Sequence, residues 1–266
     1  MDLIYLMKRE MRRRGYSERS VKAYGACVSQ FMKKCKKEPK KFTKKDVKEY
    51  LYYLADRGKA RSTLNLHLQA IKFALKNILG KRYVLDIPST RKAKRLPIVL
   101  TRKEVNSLFD AISNDKHRFM VKLMYSAGLR VSELVNLKVE DLDIENNYGW
   151  VRKGKGNKDR VFIIAESLKE DLKKCEEGYL FKGRRGHISV RSIQMIVKNA
   201  CRKAKIKKRV SCHTLRHSFA THLVEDNCPI PTVQNLLGHE SIETTMIYVH
   251  TSNPSLLGVR SPLDNC

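Results

Sequence analysis

The first 83 residues have the apolar spacing of four amphipathic helices. Apolar side chains recur three or four residues apart, so each set falls on one face of a helix. Ser17 and Thr43 precede the second and third segments as N-cap residues, and Ser62 opens the fourth. Gly58 and Gly80 follow the third and fourth segments and are typical helix stops. The pattern predicts a four-helix bundle that ends near residue 83.

The bundle is followed by a segment that has no apolar periodicity. Residues 84–97 contain the stretch DIPSTRKAKRLP, in which prolines flank a cluster of basic residues. This composition predicts a linker. Two interpretations stay open: the linker is a solvated tether, or its positive side chains lie along a polyanion.

Residues 98–266 form a second predicted domain that is again mostly helical. Thr101 and Glu104 have capping-box spacing at its first helix, and a strongly apolar helix ends at Gly128. Residues 150–152 and 160–164 are β-prone runs around a turn rich in Gly, Asn and Lys, which predicts a hairpin. After about residue 166 the pattern is helical up to a proline-containing tail. The predicted fold class is mainly α with a small antiparallel β-sheet (α+β).

The charge balance points to a polyanionic partner. The chain has 55 lysines and arginines against 27 aspartates and glutamates, a net charge of +28. A soluble domain needs a net charge of only about 2–8, so nucleic acid is the natural partner. A general bias toward lysine is the alternative. No apolar run approaches the roughly 18 residues of a membrane span, and the charged N-terminus does not resemble a signal peptide. We therefore expect a cytoplasmic protein with no membrane partner.

The cysteines and histidines do not form a recognisable metal site. Seven cysteines without a Cys-x-x-Cys pair argue against a disulfide framework and a zinc ribbon. His213 and His217 have the i, i+4 spacing of zinc ligands, but Thr214 stands where a metalloprotease has glutamate. Arg216 between them would repel a cation. We predict no metal and no cofactor, and interpret His217 and His222 as packing or supporting residues.

Four motifs carry the candidate chemistry. Arg130 in AGLRVSEL emerges from an apolar helix end one turn before Glu133, and Lys155 stands at the tip of the hairpin turn. His213 and Arg216 share one helix face, an arrangement that favours binding of an anion such as phosphate. The fourth motif, LLGHESIETTMIYVH, contains His239 and Tyr248. Taken singly, Arg130 fits a structural ion pair, Lys155 a solvated lysine and Tyr248 a core or interface tyrosine.

Together the motifs resemble those of the tyrosine recombinases, the phage integrase family, and within it the Xer-like chromosome recombinases. The resemblance covers nearly the whole chain. The second domain matches at GLRVSEL, GKGNKDR, HTLRHSFATHL and LLGHESIETTMIYVH, in that order. The first matches the family's SAM-like core-DNA-binding domain only in size and pattern.

The resemblance implies a mechanism and a role for each motif residue. Tyr248 would attack a DNA phosphodiester to form a 3′-phosphotyrosyl bond, without metal or ATP. Arg130 and Arg216 would hold the phosphate oxygens, and Glu133 would orient the first arginine. Lys155 would protonate the leaving 5′-oxygen, His213 would assist proton transfer from the tyrosine, and His239 would donate to a phosphate oxygen. Further expected DNA contacts are Lys153, Lys158, Arg160, Arg91, Lys92, Lys94 and Arg95.

The resemblance also implies the biological setting. The chain would act on double-stranded recombination sites as a homo-tetramer on two duplexes, as a dimer or monomer when free, and exchange strands through a Holliday junction. Resolution of chromosome dimers is the expected role. Integration or excision of a mobile element, a type IB topoisomerase and a non-catalytic DNA-binding protein are the alternatives. The tail carries a short apolar patch of Leu256, Leu257 and Val259. Whether this patch packs on its own chain (in cis) or on a neighbouring protomer (in trans) stays open.

Overall fold

The computed structural model describes residues 2–82, 86–90, 96–152, 159–183, 186–239 and 241–249. The chain divides into two compact units, Met1–Lys94 and Arg95–Cys266. The described residues are mostly helical with small antiparallel sheets, which confirms the predicted fold class. The predictions for the basic cluster 91–95, the hairpin turn 153–158 and the tail 250–266 fall outside the described residues. No described helix is long and apolar enough to cross a membrane.

The first unit contains the four predicted helices. They are α1 (Leu3–Arg13), α2 (Glu18–Cys35), α3 (Lys44–Asp56) and α4 (Arg61–Asn77). Ser17 caps α2, and Thr43 forms a capping box with Asp46 at α3, as their spacing predicts. The prediction that Ser62 opens α4 is off by one residue. Helix α4 begins at Arg61, and its N-cap residue Ala60 makes no side-chain capping hydrogen bond.

The bundle core also takes in part of the predicted linker. Phe31 and Tyr50 pack edge to face in the core, and the Tyr50 hydroxyl lies 3.1 Å from Nδ1 of His67. Ile87 is buried in the same cluster, and the backbone N–H of Thr90 donates to the side chain of Asn65 at 2.8 Å. Residues 86–90 therefore pack on the bundle, because Ile87 supplies an apolar anchor that a free tether would lack.

The second unit contains eight helices within the described residues. They are α5 (Arg102–Asp110), α6 (Asp115–Ser126), α7 (Val131–Asn136), α8 (Lys169–Lys173), α9 (Val190–Lys203), α10 (Cys212–Glu225), α11 (Ile230–Leu237) and α12 (Ile242–Val249). Thr101 and Glu104 form the predicted capping box at α5. Gly128 follows α6 with φ of +57°, the left-handed conformation that glycine adopts without strain.

The predicted hairpin is present and belongs to a three-stranded antiparallel sheet. Its strands are β1 (Leu142–Asp143), β2 (Tyr148–Val151) and β3 (Arg160–Ile163), with Val151 opposite Arg160 at the turn end. A second small ladder joins β4 (Lys182–Gly183) to β5 (Gly186–His187). The expectation that only helices follow residue 166 is wrong at this point, because two-residue strands show no periodicity.

Helix α10 is the central element of the second unit. It is buried on nearly every side, including its polar residues Thr214, Ser218 and Thr221. The Ser218 hydroxyl donates to the Thr214 carbonyl and accepts from the backbone N–H of Leu100 at 2.9 Å. A helix buried in this way holds its side chains rigidly, which suits residues that must keep a fixed geometry.

Candidate active site

The guanidinium of Arg216 lies at the meeting point of two helix ends. Arg216 is 3% exposed on α10. Its Nη1 donates to the Gly128 carbonyl after α6 at 2.6 Å, and its Nη2 donates to the Leu237 carbonyl at the end of α11. Carbonyls at helix C-termini have no partner within the helix and carry partial negative charge, so they stabilise a buried cation. The fold thus fixes this arginine from two directions.

Glu133 is the carboxylate that holds three arginines together. Its Oε1 accepts from Arg130 Nη1 at 2.7 Å, and its Oε2 also accepts the Arg130 backbone N–H at 2.8 Å. The Oε2 atom lies 2.6 Å from Nη2 of Arg160 and 3.6 Å from Nη1 of Arg216. The contact between Arg130 and Glu133 is the one that their spacing predicts. The two longer-range partners were not predicted.

The four charged side chains have a surplus of positive charge. Three arginines against one carboxylate leave two positive charges uncompensated within the group. Burial lowers the pKa of Arg216 to about 9, with Arg130 adding to the effect, and the side chain remains charged at neutral pH. Burial opposes ionisation of Glu133, but Arg160 and Arg130 hold the pKa of this carboxyl below its usual range. The surplus positive charge favours binding of an anion beside these arginines.

The side-chain exposures show where an anion could approach. The side chain of Arg130 is 21% exposed, whereas that of Arg216 is 4% exposed. A phosphate that approaches from solvent would therefore contact Arg130 before it contacts the more deeply buried Arg216. Guanidinium groups bind phosphate with two parallel hydrogen bonds, so two arginines at one point can fix its orientation.

Tyr248 on α12 lies beside this group. It is 2% exposed, and its hydroxyl is 3.0 Å from Nδ1 of His217 on α10. Burial raises the pKa of the phenol, while Arg216 and Arg130 counteract that rise by favouring the phenolate. No local sequence pattern indicates the contact with His217, which lies 31 positions earlier in the chain.

His239 follows α11 and is oriented by a threonine. Its Nδ1 lies 3.0 Å from the Thr245 hydroxyl, and its ring stacks on Tyr248 with centroids 6.1 Å apart. Thr245 is fully buried. Burial lowers the pKa of His239 to about 4, with Arg216 and Arg130 acting in the same direction, so the imidazole is neutral at pH 7. When the Thr245 hydroxyl donates to Nδ1, Nε2 carries the proton and can donate to an anion.

The remaining predicted residues divide into three groups. His213 is exposed on α10, and within the described residues no hydrogen bond joins it to Tyr248. Arg160, an expected DNA contact, is buried: its side chain pairs with Glu133 and donates to the Leu236 carbonyl. The following residues lie outside the described residues: Lys155, Lys153, Lys158, Arg91, Lys92, Lys94 and Arg95.

A second histidine of α10 also contacts a tyrosine, which belongs to α6. Nδ1 of His222 is 2.7 Å from the Tyr125 hydroxyl of α6. Arg102 donates to Asp226 at 2.7 Å near this pair, and both side chains are more than half exposed. Burial raises the pKa of Tyr125 and lowers that of His222. Like His217 and Tyr248, this pair joins a histidine Nδ1 to a tyrosine hydroxyl. Arg102, and neither Arg130 nor Arg216, is the arginine that acts on the pKa of Tyr125.

Comparison with known proteins defines the family. The profile of the phage integrase family matches residues 98–254, and that of the phage integrase N-terminal SAM-like domain matches residues 3–84. Tyrosine recombinase XerA of Pyrococcus furiosus is 36% identical, covering 90% of this chain and 85% of its own. Tyrosine recombinase XerD of Oceanobacillus iheyensis is 31% identical, covering 91% of each.

Solved structures agree with these matches. A crystal structure of XerA recombinase shares 30% identity and a TM-score of 0.54, covering 96% of this chain and 95% of its own. A lambda integrase dimer bound to a core site has a TM-score of 0.77 at 18% identity, covering 97% of each, which shows the fold alone. The chain belongs to the phage integrase family as a Xer-like tyrosine recombinase, an enzyme that cleaves and rejoins DNA at specific sites.

Proposed function

We propose that Tyr248 is the nucleophile of this recombinase and that the arginine group around Glu133 is its phosphate site. The observation that carries the proposal is the position of a buried phenol beside a group with two surplus positive charges. Attack on phosphorus joins the Tyr248 oxygen to the 3′-phosphate and releases a 5′-hydroxyl. The bond energy is kept in the protein–DNA link, so rejoining needs no ATP.

The neighbouring residues have complementary roles in this proposal. Arg130 and Arg216 bind the nonbridging oxygens and stabilise the charge that develops on them in the transition state. Glu133 keeps both guanidinium groups in place. His239 donates from Nε2 to a phosphate oxygen, with Thr245 fixing that tautomer. By the family resemblance, Lys155 protonates the 5′-oxygen and His213 takes part in removing the tyrosine proton.

The proposed substrate is double-stranded DNA held by several protomers. The net charge of +28 supports binding to a polyanion. Related folds include a XerH site-specific recombinase bound to a palindromic difH substrate and a lambda integrase tetramer bound to a Holliday junction. We extend these findings to a homo-tetramer that exchanges strands between two duplexes.

Resolution of chromosome dimers is the proposed role in the cell. Similarity to XerA and XerD over most of the chain supports it. Integration of a mobile element is the second candidate, since the integrase of transposon Tn1549 has the same fold with a TM-score of 0.72. Mapping where the protein binds in its own genome separates these roles: one chromosomal site supports dimer resolution, and the ends of a mobile element support integration.

The activity can be tested with a duplex selected for binding from a randomised pool. A nick placed close to the cleavage position lets the short 5′-hydroxyl fragment diffuse away, so the covalent complex accumulates. We expect a protein–DNA adduct that survives denaturing electrophoresis, and binding that weakens steeply with salt. Failure to select any preferred sequence, or a selected site that never gives an adduct, would contradict the proposal.

A further inference from the structure

The hydroxyl of Tyr248 contacts a histidine to which the family resemblance assigns no role. His217 Nδ1 lies 3.0 Å from the Tyr248 oxygen. The two rings are 5.7 Å apart and tilted by 47°, an arrangement compatible with a hydrogen bond between their edges. His213 is one helical turn earlier on α10 and is exposed. The histidine in place to receive the tyrosine proton is therefore His217.

The surroundings of His217 favour a neutral imidazole before reaction. The groups that face it are His213 and Arg216 on its own helix, Tyr248 on α12 and His239 after α11. Burial lowers the pKa of His217, and His213 and Arg216 lower it further. A neutral ring with its proton on Nε2 has a free lone pair at Nδ1, and the Tyr248 hydroxyl can donate to it.

We propose that His217 is the catalytic base of cleavage, accepting the Tyr248 proton at Nδ1 while the phenol oxygen attacks phosphorus. The inference rests on the proposed function of Tyr248, and it gives to His217 the proton transfer that the family resemblance assigns to His213. The bond from the tyrosine oxygen to phosphorus forms as the bond from phosphorus to the 5′-oxygen breaks. One proton moves from Tyr248 to His217, and the 5′-oxygen takes one from its acid, which we assign to Lys155. The phosphodiester keeps its single negative charge, and rejoining returns both protons.

The substitution His217→Asn separates hydrogen bonding from proton transfer. An asparagine amide reaches about the position of Nδ1 and can still bond Tyr248, but it cannot take up a proton at neutral pH. His222→Asn is the matched control, because it makes the same change at the second histidine–tyrosine pair on α10. We expect His217→Asn to slow formation of the covalent complex on the nicked duplex by about 10²–10⁴-fold. His222→Asn should cleave at close to the wild-type rate.

Two further measurements distinguish a base from a merely structural residue. A duplex with sulfur in place of the 5′-bridging oxygen releases a thiolate, which needs no acid because thiols are far more acidic than alcohols. This substrate should restore cleavage by Lys155→Ala but leave His217→Asn slow. In His217→Ala, imidazole added to the solution should recover part of the rate. Melting temperature and DNA affinity are measured for each variant to show that it folds and binds.

Several outcomes would overturn the inference. These are cleavage by His217→Asn within about threefold of wild type, recovery of this variant on the sulfur substrate, and cleavage faster than wild type, which would mean that the bond restrains Tyr248. Absence of imidazole recovery in a folded, DNA-binding His217→Ala would also count against a base. The proposed function fails separately, when the wild-type protein forms no adduct or Tyr248→Phe still forms one.

Discussion

Helix α10 holds two tyrosines by the same kind of bond in two different electrostatic surroundings. His217 contacts Tyr248 and His222 contacts Tyr125, each through Nδ1 and a phenol oxygen. Both phenols are buried enough that their pKa is raised. A histidine–tyrosine hydrogen bond therefore does not by itself distinguish the proposed nucleophile Tyr248 from Tyr125.

The charges around the two pairs differ in burial and in sign. Near Tyr248, Arg216 and Arg130 favour the phenolate. Near Tyr125, Arg102 acts in that direction, but Asp226 and Glu225 oppose it. The arginines of the first site share one buried carboxylate, whereas Arg102 and Asp226 form an exposed pair that water and salt screen. We infer that the fold concentrates uncompensated positive charge at Tyr248 and not at Tyr125.

The largest expected effect comes from removing the shared carboxylate. Glu133→Gln leaves three arginines close together without their counter-charge, and breaking a buried ion pair in this way costs about 3–5 kcal/mol. The free energy of unfolding in urea should fall by about that amount. Asp226→Asn should leave it unchanged within error, because exposed ion pairs contribute little.

Added sulfate provides a control for the cause of this loss. A divalent anion that binds the arginines replaces the missing charge, so it should stabilise Glu133→Gln more than wild type. Equal losses in Glu133→Gln and Asp226→Asn would contradict the contrast between the two sites.

Removing an arginine from each site should affect cleavage very differently. Arg216→Ala removes a fixed donor to the developing charge, and loss of one such donor costs about 10²–10³ in rate. Arg102→Ala should cleave at close to the wild-type rate. Both variants should retain DNA binding, since most of the affinity comes from other phosphate contacts. The measurement is the single-turnover rate of covalent complex formation.

Arg216→Lys shows whether the loss reflects folding or geometry. It keeps a positive charge but cannot donate to the Gly128 carbonyl, the Leu237 carbonyl and a phosphate with the planar geometry of guanidinium. We expect a folded protein that still cleaves at least tenfold more slowly. Full activity in Arg216→Lys would mean that charge alone suffices.

Thr245→Val should have a smaller effect on cleavage. The substitution keeps the buried shape of the side chain but removes the hydroxyl that orients His239. A single neutral hydrogen bond is worth about 1 kcal/mol, which corresponds to a rate loss of about fivefold. Thr245→Ser is the matched control and should retain the rate. A loss of the same size in both variants would point to packing as the cause.

The effect that is smallest at neutral pH is a change in the dependence of stability on pH. Burial holds the pKa of His239 at about 4, whereas an unfolded histidine has a pKa of about 6.5. Between these values the unfolded chain binds more protons, so stability is lost as the pH falls from about 6.5 toward 4. His239→Asn should flatten the dependence of melting temperature on pH across this interval. An unchanged slope in this variant would contradict the buried neutral imidazole.

Local sequence patterns could predict the elements and the contacts made within them. The boxes of Thr43 with Asp46 and of Thr101 with Glu104 follow from residues three positions apart. The ion pair of Arg130 with Glu133 follows in the same way. Helical spacing fixes which side chains lie one turn apart before any tertiary packing exists.

Contacts between distant segments could not be predicted in this way. Arg160 reaches Glu133 across 27 positions, and His217 reaches Tyr248 across 31. The first depends on how β3 lies beside α7, and the second on how α10 packs against α12. Nothing near Arg160 in the sequence distinguishes a buried arginine from a surface one. The same limit applies to His217, which its sequence context predicts only as a packing or supporting residue.

Identification of the residue linked to DNA tests the central claim most directly. The adduct from the nicked duplex can be digested with nuclease and protease, and the peptide that carries a nucleotide identified by mass spectrometry. We predict a 3′-phosphotyrosyl link on the α12 peptide containing Tyr248, no adduct in Tyr248→Phe, and a normal adduct in Tyr125→Phe. A nucleotide on any other residue, or an adduct that persists in Tyr248→Phe, would contradict the account.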